Sequence, residues 1–397
     1  MSALDTPLEI TGVRLFEVAI PLAEPFRISG GTMRTRRSLI VELTDAGGAV
    51  GYGESAPFER PFYSEETLYS AKACHVQHLI PRLKGQTFGS LEVAVRALEK
   101  GIRGNRMARA GVETALWDLV CAKAGVPLRA LLGAVMQQLG VSDPMRANRA
   151  FVESGAALGI PDSGAENPLA VLGDWTWSAM EAGYKRIKIK IQPGWDVEPV
   201  RAVREVAREM ERKVRIWADA NGSYVRERDL DKLQALDKEG LVLLEQPLEA
   251  DDVLGTIKLA HEIMTPVCID ESLVDDHAAQ LFLESDGPKV WNLKIQRVGG
   301  LWEAAKIYKR AVGAGIKLWG GTMPETGVGS HAMVCLGSFA GFTHPTDIAP
   351  SKRWYEPGVD LIEIHMDGQG RISVSDAPGL YRFKLKEKLE QVGKLVA

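Results

Sequence analysis

Lys190, Asp219, Glu245, Asp270 and Lys294 follow one another at intervals of 29, 26, 25 and 24 residues. Each ends a short, largely apolar run: RIKIKI, KVRIWAD, LVLLEQP, TPVCID and VWNLKIQ. A strand, a loop, a helix and a return loop together use about that many residues. The spacing therefore predicts consecutive parallel strands separated by helices. A barrel assembles its site in this way, with side chains from several strand ends meeting on the C-terminal rim. Three carboxylates between two lysines point to a divalent metal flanked by two candidate bases.

The alternation starts at AFVESGAALG and runs to about FTHPTDI. Polar helices such as DVEPVRAVREVAREMERK and ADDVLGTIKLAHEIM separate strands that are short and apolar, as strands covered on both faces should be. Seven or eight strands favour a closed α/β barrel over an open sheet. With AFVESGAALG as strand one, RIKIKI is strand two and VWNLKIQ is strand six. These are diametrically opposed in an eight-stranded barrel, so Lys190 and Lys294 face each other across the acids.

Alternation in RIKIKI puts Lys188 and Lys190 on one face and Ile187, Ile189 and Ile191 on the other. An edge strand with solvated lysines would read the same way. In a barrel the isoleucines face the helices and both lysines point inward, where an ammonium group is costly. A neighbouring cation and desolvation then favour the neutral amine that a general base needs. Asp219, Glu245 and Asp270 could singly be caps or surface acids. As a set at strand ends they need a cation to offset their repulsion, and hard oxygen donors suit Mg²⁺ or Mn²⁺ rather than zinc. Asn221, Glu271 and Ser272 are candidates for supporting the ligands or orienting a substrate. Gly320 and Gly321, at the end of strand seven, are expected to leave room for it. His331 and His344 read as helix and loop residues rather than bases.

Ahead of the barrel, residues 10–55 read as a strand meander with a turn at Asp45-Ala46-Gly47-Gly48. From about Ser64 to Gly133 the periodicity is helical, and strands followed by helices make an α+β unit. Residues 135–150 read as a polar connector. The expected division is a first, α+β domain over 1–148, a barrel over 149–352 and a segment over 353–397 that returns to the first domain.

A net charge of −4 and a pI near 6.1 give no electrostatic case for nucleic acid or an anionic membrane. The short basic cluster Arg34, Arg36 and Arg37 reads as a solvated face or an anion contact. Cys74, Cys121, Cys268 and Cys335 are far apart, without the pairing of a zinc site, and fit reduced thiols of a cytoplasmic protein. The start, MSALDTPLEITGV, lacks the basic and apolar blocks of a secretory signal. No stretch approaches the roughly 18–20 apolar residues of a membrane span. A small-molecule carboxylate is the expected partner.

Lys188-Ile189-Lys190, Asp219-Ala220-Asn221, Glu245-Gln246-Pro247, Asp270-Glu271-Ser272 and Asn292-Leu293-Lys294 together resemble the enolase superfamily, in its muconate-lactonizing subgroup. PGWDVEPV, GGTMPETGVGSHAM and PFYSEE look most like the o-succinylbenzoate synthase and N-succinylamino acid racemase family. The resemblance implies a (β/α)7β modified TIM barrel with a cap built from the N-terminal region and the C-terminal tail. It also implies a homo-oligomer, and Mg²⁺-dependent removal of an α-proton through an enediolate. Lys190, Lys294 and Lys188 would be catalytic, and Asp219, Glu245 and Asp270 would be metal ligands. The cap loops around Phe26 and Phe58 to Tyr63 would close over the site, with Phe26 and Tyr63 as substrate contacts. Muconate cycloisomerases usually differ in the seventh-strand segment; such an enzyme, or another epimerase of the subgroup, is the alternative reading. Dipeptide epimerases carry a DxD motif near strand eight, where FTHPTDIAP has the single Asp347. Mandelate-racemase-like enzymes carry a His base where this chain has glycines. The connector at 135–150 and the ENPLAV segment depart from the family pattern. Outside the family, a class I aldolase barrel would use Lys294 as a Schiff-base nucleophile. A non-catalytic descendant kept for binding would have no need of all five residues.

Overall fold

The computed structural model describes residues 3–28, 31–146, 148–162, 164–380 and 384–397. Its N-terminal part is an antiparallel meander of Leu8–Ile28, Gly31–Asp45 and Val50–Ser55. The turn between the last two strands forms where expected. Gly48 takes φ 81°, its N–H reaches the Asp45 carbonyl, and the Asp45 side chain accepts from Gly47. Gly51 and Gly53 let the helix Arg106–Ala124 lie directly on the third strand. A Cβ on Gly53 would come within 2.1 Å of the Gly111 carbonyl oxygen. The tail returns to this sheet: Gly393–Leu395 pairs antiparallel with Phe16–Val18.

The seven-stranded parallel sheet runs in sequence order: Ala156–Leu158, Arg186–Lys190, Arg215–Asp219, Leu243–Glu245, Val267–Ile269, Val290–Leu293 and Lys317–Gly320. A helix follows each strand. Residues 342–347 close the sheet as an eighth, extended segment. On one side Thr343 and Asp347 donate to the carbonyls of Leu318 and Gly320 in strand seven. On the other, Thr346 donates to the Glu153 carbonyl and its own carbonyl accepts from Gly155. The (β/α)7β barrel is therefore closed, and Lys190 and Lys294 belong to strand two and the end of strand six.

Inward residues alternate along each strand as the pleat requires. A floor of Trp217, Leu243, Cys268, Val290 and Trp319 fills the barrel below the strand-end acids. Trp217 and Trp319 meet edge to face, with ring centroids 5.0 Å apart.

Three local expectations are corrected. AFVESGAALG is two strands rather than one: Phe151–Glu153 pairs antiparallel with Arg371–Ser373, and Ala156–Leu158 joins the barrel. The break falls at Gly155, where a Cβ would strike the Arg186 guanidinium at 2.1 Å. The polar connector is shorter than 135–150, because the helix Leu128–Gln138 continues through buried Val135 and Met136. Ala147, within that stretch, lies outside the described residues. Arg36 is not solvated: it is buried and donates to the carbonyls of Ala56 and Pro57. Among the described residues no single helix is long and apolar enough to cross a membrane.

His75 is fully buried in the cap, with Nε2 2.8 Å from the Ser55 hydroxyl, and burial pushes its pKa down to about 3. The unfolded chain takes up this proton near pH 6.5 and the folded chain does not, so stability falls as pH drops from about 6.5 towards 3. His75→Gln removes the titrating group. Between pH 7 and pH 5 the wild type is expected to lose about 2 kcal/mol more than the variant in urea unfolding. Equal losses would place the acid sensitivity elsewhere.

Candidate active site

Strand geometry brings the sequence-predicted residues together. Lys190, Asp219 and Glu245 are lateral register partners on strands two, three and four, and Asp270 and Lys294 follow the ends of strands five and six. All five are buried, as is Lys188. Lys188 Nζ lies 3.0 Å from Asp219 Oδ2, 3.0 Å from Glu245 Oε2 and 2.5 Å from Asp347 Oδ2. Lys190 Nζ donates to Asp219 at 2.6 Å and to Asn221 Oδ1 at 2.7 Å. On the far side Lys294 Nζ donates to Asp270 at 2.7 Å and to the Tyr63 hydroxyl at 2.8 Å. The other Asp270 oxygen accepts from Arg297.

The cations that offset the acids' repulsion are thus the chain's own, and they come in pairs. Lys188 and Lys190 hold Asp219, while Lys294 and Arg297 hold Asp270. Burial alone would raise both aspartates, but these cations outweigh it and keep both below the usual carboxylate range. Glu245 goes the other way: burial and the neighbouring Asp219 lift it to about 8 against the pull of Lys188. Burial would lower Lys188 and Lys294, yet the facing carboxylates win and both are raised. The expectation that burial and a neighbouring cation favour the neutral amine therefore fails for Lys188. The sequence shows the adjacent lysine but not how many carboxylates surround each ammonium.

Asn221 links Lys190 to Glu271, donating to Glu271 Oε1 at 2.8 Å. The second Glu271 oxygen is buried without a partner, and burial followed by Asp270 raises this acid to about 7. Ser272 supports the Asp270 loop: its hydroxyl donates to the Ala250 carbonyl and accepts from Gln246, whose side-chain oxygen accepts from the Asp270 N–H. Gly320 and Gly321 also need correction. A Cβ on Gly320 would meet Met333 at 2.6 Å, and one on Gly321 would meet Asn292 Oδ1 at 2.1 Å and Lys294 Cε at 2.7 Å. The space they leave is filled by the protein's own side chains.

The pocket over these groups encloses about 610 Å³, including its open mouth. Lys188, Lys190, Asn221, Lys294 and Asp347 form its polar end. Phe26, Met33, Phe58, Phe62, Met323 and Trp354 wall the rest, with Tyr63 bridging cap and barrel. Phe26 and Tyr63 therefore lie where the sequence placed them.

Sequence reasoning missed Arg186, Asp347 and Arg297. Arg186 is wholly buried, stacks over Trp217 at 4.3 Å and bonds Asp347 at 2.7 Å. It lies two residues before Lys188, so the alternation that turned the lysines inward also turns Arg186 inward. Asp347 sits on the closing segment, which is too short to show a period. Arg297 lies on the helical turn Ile295–Val298 just after Lys294, outside any strand register.

Among the described residues no three histidine, cysteine or acidic side chains are already gathered into a metal-holding shell. The donors still suit a hard divalent cation. One Lys188 nitrogen contacts Asp219 and Glu245 together, so a single positive centre reaches two of the three carboxylates. Burial first, and then the neighbouring Asp219, lift Glu245, and a cation shared by the two carboxylates would relieve that repulsion. Asp219, Glu245 and Asp270 are the residues that would hold such an ion.

Comparison with known proteins agrees with this geometry. Residues 175–380 match the enolase C-terminal domain-like family, and residues 10–133 match the mandelate racemase / muconate lactonizing enzyme N-terminal domain. An o-succinylbenzoate synthase from Bacillus subtilis is 36% identical over 94% of each chain. An N-succinylamino acid racemase from an Amycolatopsis species is 37% identical over 97% of this chain and 98% of its own. A probable mandelate racemase from Alicyclobacillus acidocaldarius superposes with a TM-score of 0.84, at 32% identity, covering 98% and 96% of the two chains. The two matches span cap and barrel, and the relatives exceed 30% identity over nearly the whole chain: it belongs to the enolase superfamily, in the family of o-succinylbenzoate synthases and N-succinylamino acid racemases.

Proposed function

We propose that this protein removes the proton α to a carboxylate of a small-molecule substrate, acting as an o-succinylbenzoate synthase, an N-succinylamino acid racemase or both. The observation that carries this reading is the placement of Lys190 and Lys294. They stand on strands two and six, both line one pocket, and three strand-end acids lie between them.

When bound by Asp219, Glu245 and Asp270, Mg²⁺, or Mn²⁺ in its place, supplies the positive charge that stabilises the enediolate. The chain's residues do the rest. In dehydration, Lys190 takes the α-proton at Nζ and returns it to the departing hydroxyl, while the Lys294 ammonium faces the developing anion. In racemization, one of these lysines removes the proton and the other delivers one to the opposite face. Lys188, held by three carboxylates, stays cationic and steadies the acids. Asn221 fixes the Lys190 amine by its hydrogen bond. Phe26, Phe58 and Phe62 exclude water from the mouth. A Schiff-base nucleophile at Lys294 would have no need of the three strand-end acids, which speaks against that reading.

With the purified protein, Mg²⁺ and an N-succinyl-L-amino acid in D₂O, NMR is expected to show loss of the α-proton signal and appearance of the D isomer. Both should vanish in a metal-free sample. No exchange from a metal-loaded protein would remove the racemase reading and leave the synthase, tested by dehydration to o-succinylbenzoate. The reading also includes a homo-oligomer, a cytoplasmic setting and the division at 148/149 and 352/353. Return of the Gly393–Leu395 strand to the cap sheet supports the last of these.

A further inference from the structure

We propose that Glu54, a cap residue outside the reacting centre, is a positioning residue that sets both walls of the substrate pocket and so tunes which side chain the enzyme accepts. The inference rests on the function proposed above.

Glu54 is wholly buried at the end of the cap strand Val50–Ser55. Its Oε1 accepts from the Ser38 hydroxyl at 2.7 Å and from the Thr326 N–H at 3.1 Å. Its Oε2 accepts from the Thr326 hydroxyl at 2.6 Å and from the Gly329 N–H at 3.0 Å. Three of these four donors belong to the barrel, at the start of the helix Gly327–Gly337. A carboxylate there satisfies N–H groups that have no partner within the helix and lies at the positive end of its dipole. The cap thus supplies a second cap to a barrel helix.

Two residues separate the start of that helix from Thr322, Met323 and Pro324, which form one wall of the pocket. On the other side, Phe58 opens the aromatic wall four residues after Glu54. The backbone between them is also fixed from the barrel. Gln296, two residues beyond Lys294, donates to the Glu54 carbonyl at 2.7 Å and accepts from the Ala56 N–H at 3.0 Å. Loops after strands six and seven and the aromatic cap loop therefore meet at Glu54–Ala56. A shift there moves Met323 and Phe58 relative to the lysines without touching either lysine.

Glu54→Gln tests the role sharply. Each carboxylate oxygen accepts one hydroxyl and one backbone N–H. A hydroxyl can reverse to become an acceptor, but a backbone N–H cannot. Whichever way the amide turns, its NH₂ faces an N–H donor and the helix start must move. Thr326→Val removes one of the same bonds and carries the test if Glu54→Gln does not fold. Ser38→Ala removes only the bond made within the cap.

Two measurements on Mg²⁺-loaded enzymes decide the matter. One is backbone amide exchange across residues 322–330. The other is the ratio of kcat/KM for α-proton exchange between N-succinylalanine and N-succinylphenylalanine. Glu54→Gln and Thr326→Val are expected to exchange faster in that segment. Their substrate ratio should shift by about fivefold or more, mainly through KM, while Ser38→Ala stays near wild type. Unchanged amide exchange with an unchanged ratio would overturn the proposal, and so would a fall in kcat with the ratio constant. If the wild type itself shows no α-proton exchange, the racemase reading has failed separately. Amide exchange alone then decides for or against the link.

Discussion

Lys190→Ala and Lys294→Ala are each expected to lose about 10³-fold in turnover, within the 10²–10⁴ range of a positioned general acid or base. The two losses should differ in kind. In a two-base racemase each lysine serves one face of the α-carbon. One variant should still wash deuterium into the L substrate and the other into the D substrate, with neither completing inversion. A dedicated synthase predicts something else: Lys190→Ala loses dehydration outright, and Lys294→Ala loses it by stranding the developing anion. The paired cations make the experiment readable. Without Lys190, Asp219 keeps Lys188, and without Lys294, Asp270 keeps Arg297. Both proteins should therefore fold and still take up Mn²⁺. Wild-type exchange of both enantiomers by both variants would exclude these lysines as the bases.

Arg186→Leu is expected to destabilise the fold by about 3–5 kcal/mol, the cost of removing one partner from a buried ionic network. Arg186 donates to the carbonyls of Thr346 at 2.6 Å, and of Pro345 and Ala156 at 3.3 Å each, besides pairing with Asp347. These carbonyls lie on strand one and on the segment that closes the barrel, so the substitution strikes the seam. It also leaves Asp347 to compete unopposed for Lys188. The urea midpoint should fall steeply, and activity should fall with it even where the protein remains folded. A midpoint within about 1 kcal/mol of wild type would mean that the seam holds without this residue.

The barrel was legible in the sequence because its strands are short, apolar and evenly spaced, and because five of them end in a chemically unusual residue. Lys188 and Lys190 were legible by the period of two. The same period contained Arg186, but arginine at the start of a strand looks like a flank until the barrel is closed around it. Asp347 and Arg297 lie on an irregular segment and a single helical turn, where no periodicity reports direction. The two glycines after strand seven show why small residues are ambiguous. Sequence reveals that space is needed, and only packing reveals that Asn292, Lys294 and Met333 fill it. The raised pKa of Lys188 was hidden for a related reason, since it depends on how many acids converge in space. AFVESGAALG looked continuous because a single glycine does not announce that the backbone on its two sides joins different sheets.

Paired cations around each aspartate have a consequence for descent. A chain that must keep its acid cluster neutral with one lysine per acid cannot alter that lysine without losing the protein. Here either opposed lysine can lapse, or exchange proton transfer for simple charge, while its neighbour keeps the aspartate in place. Variants with one working base are then folded proteins on which selection can act. A lineage can pass between dehydration and racemization by small steps at a preserved centre.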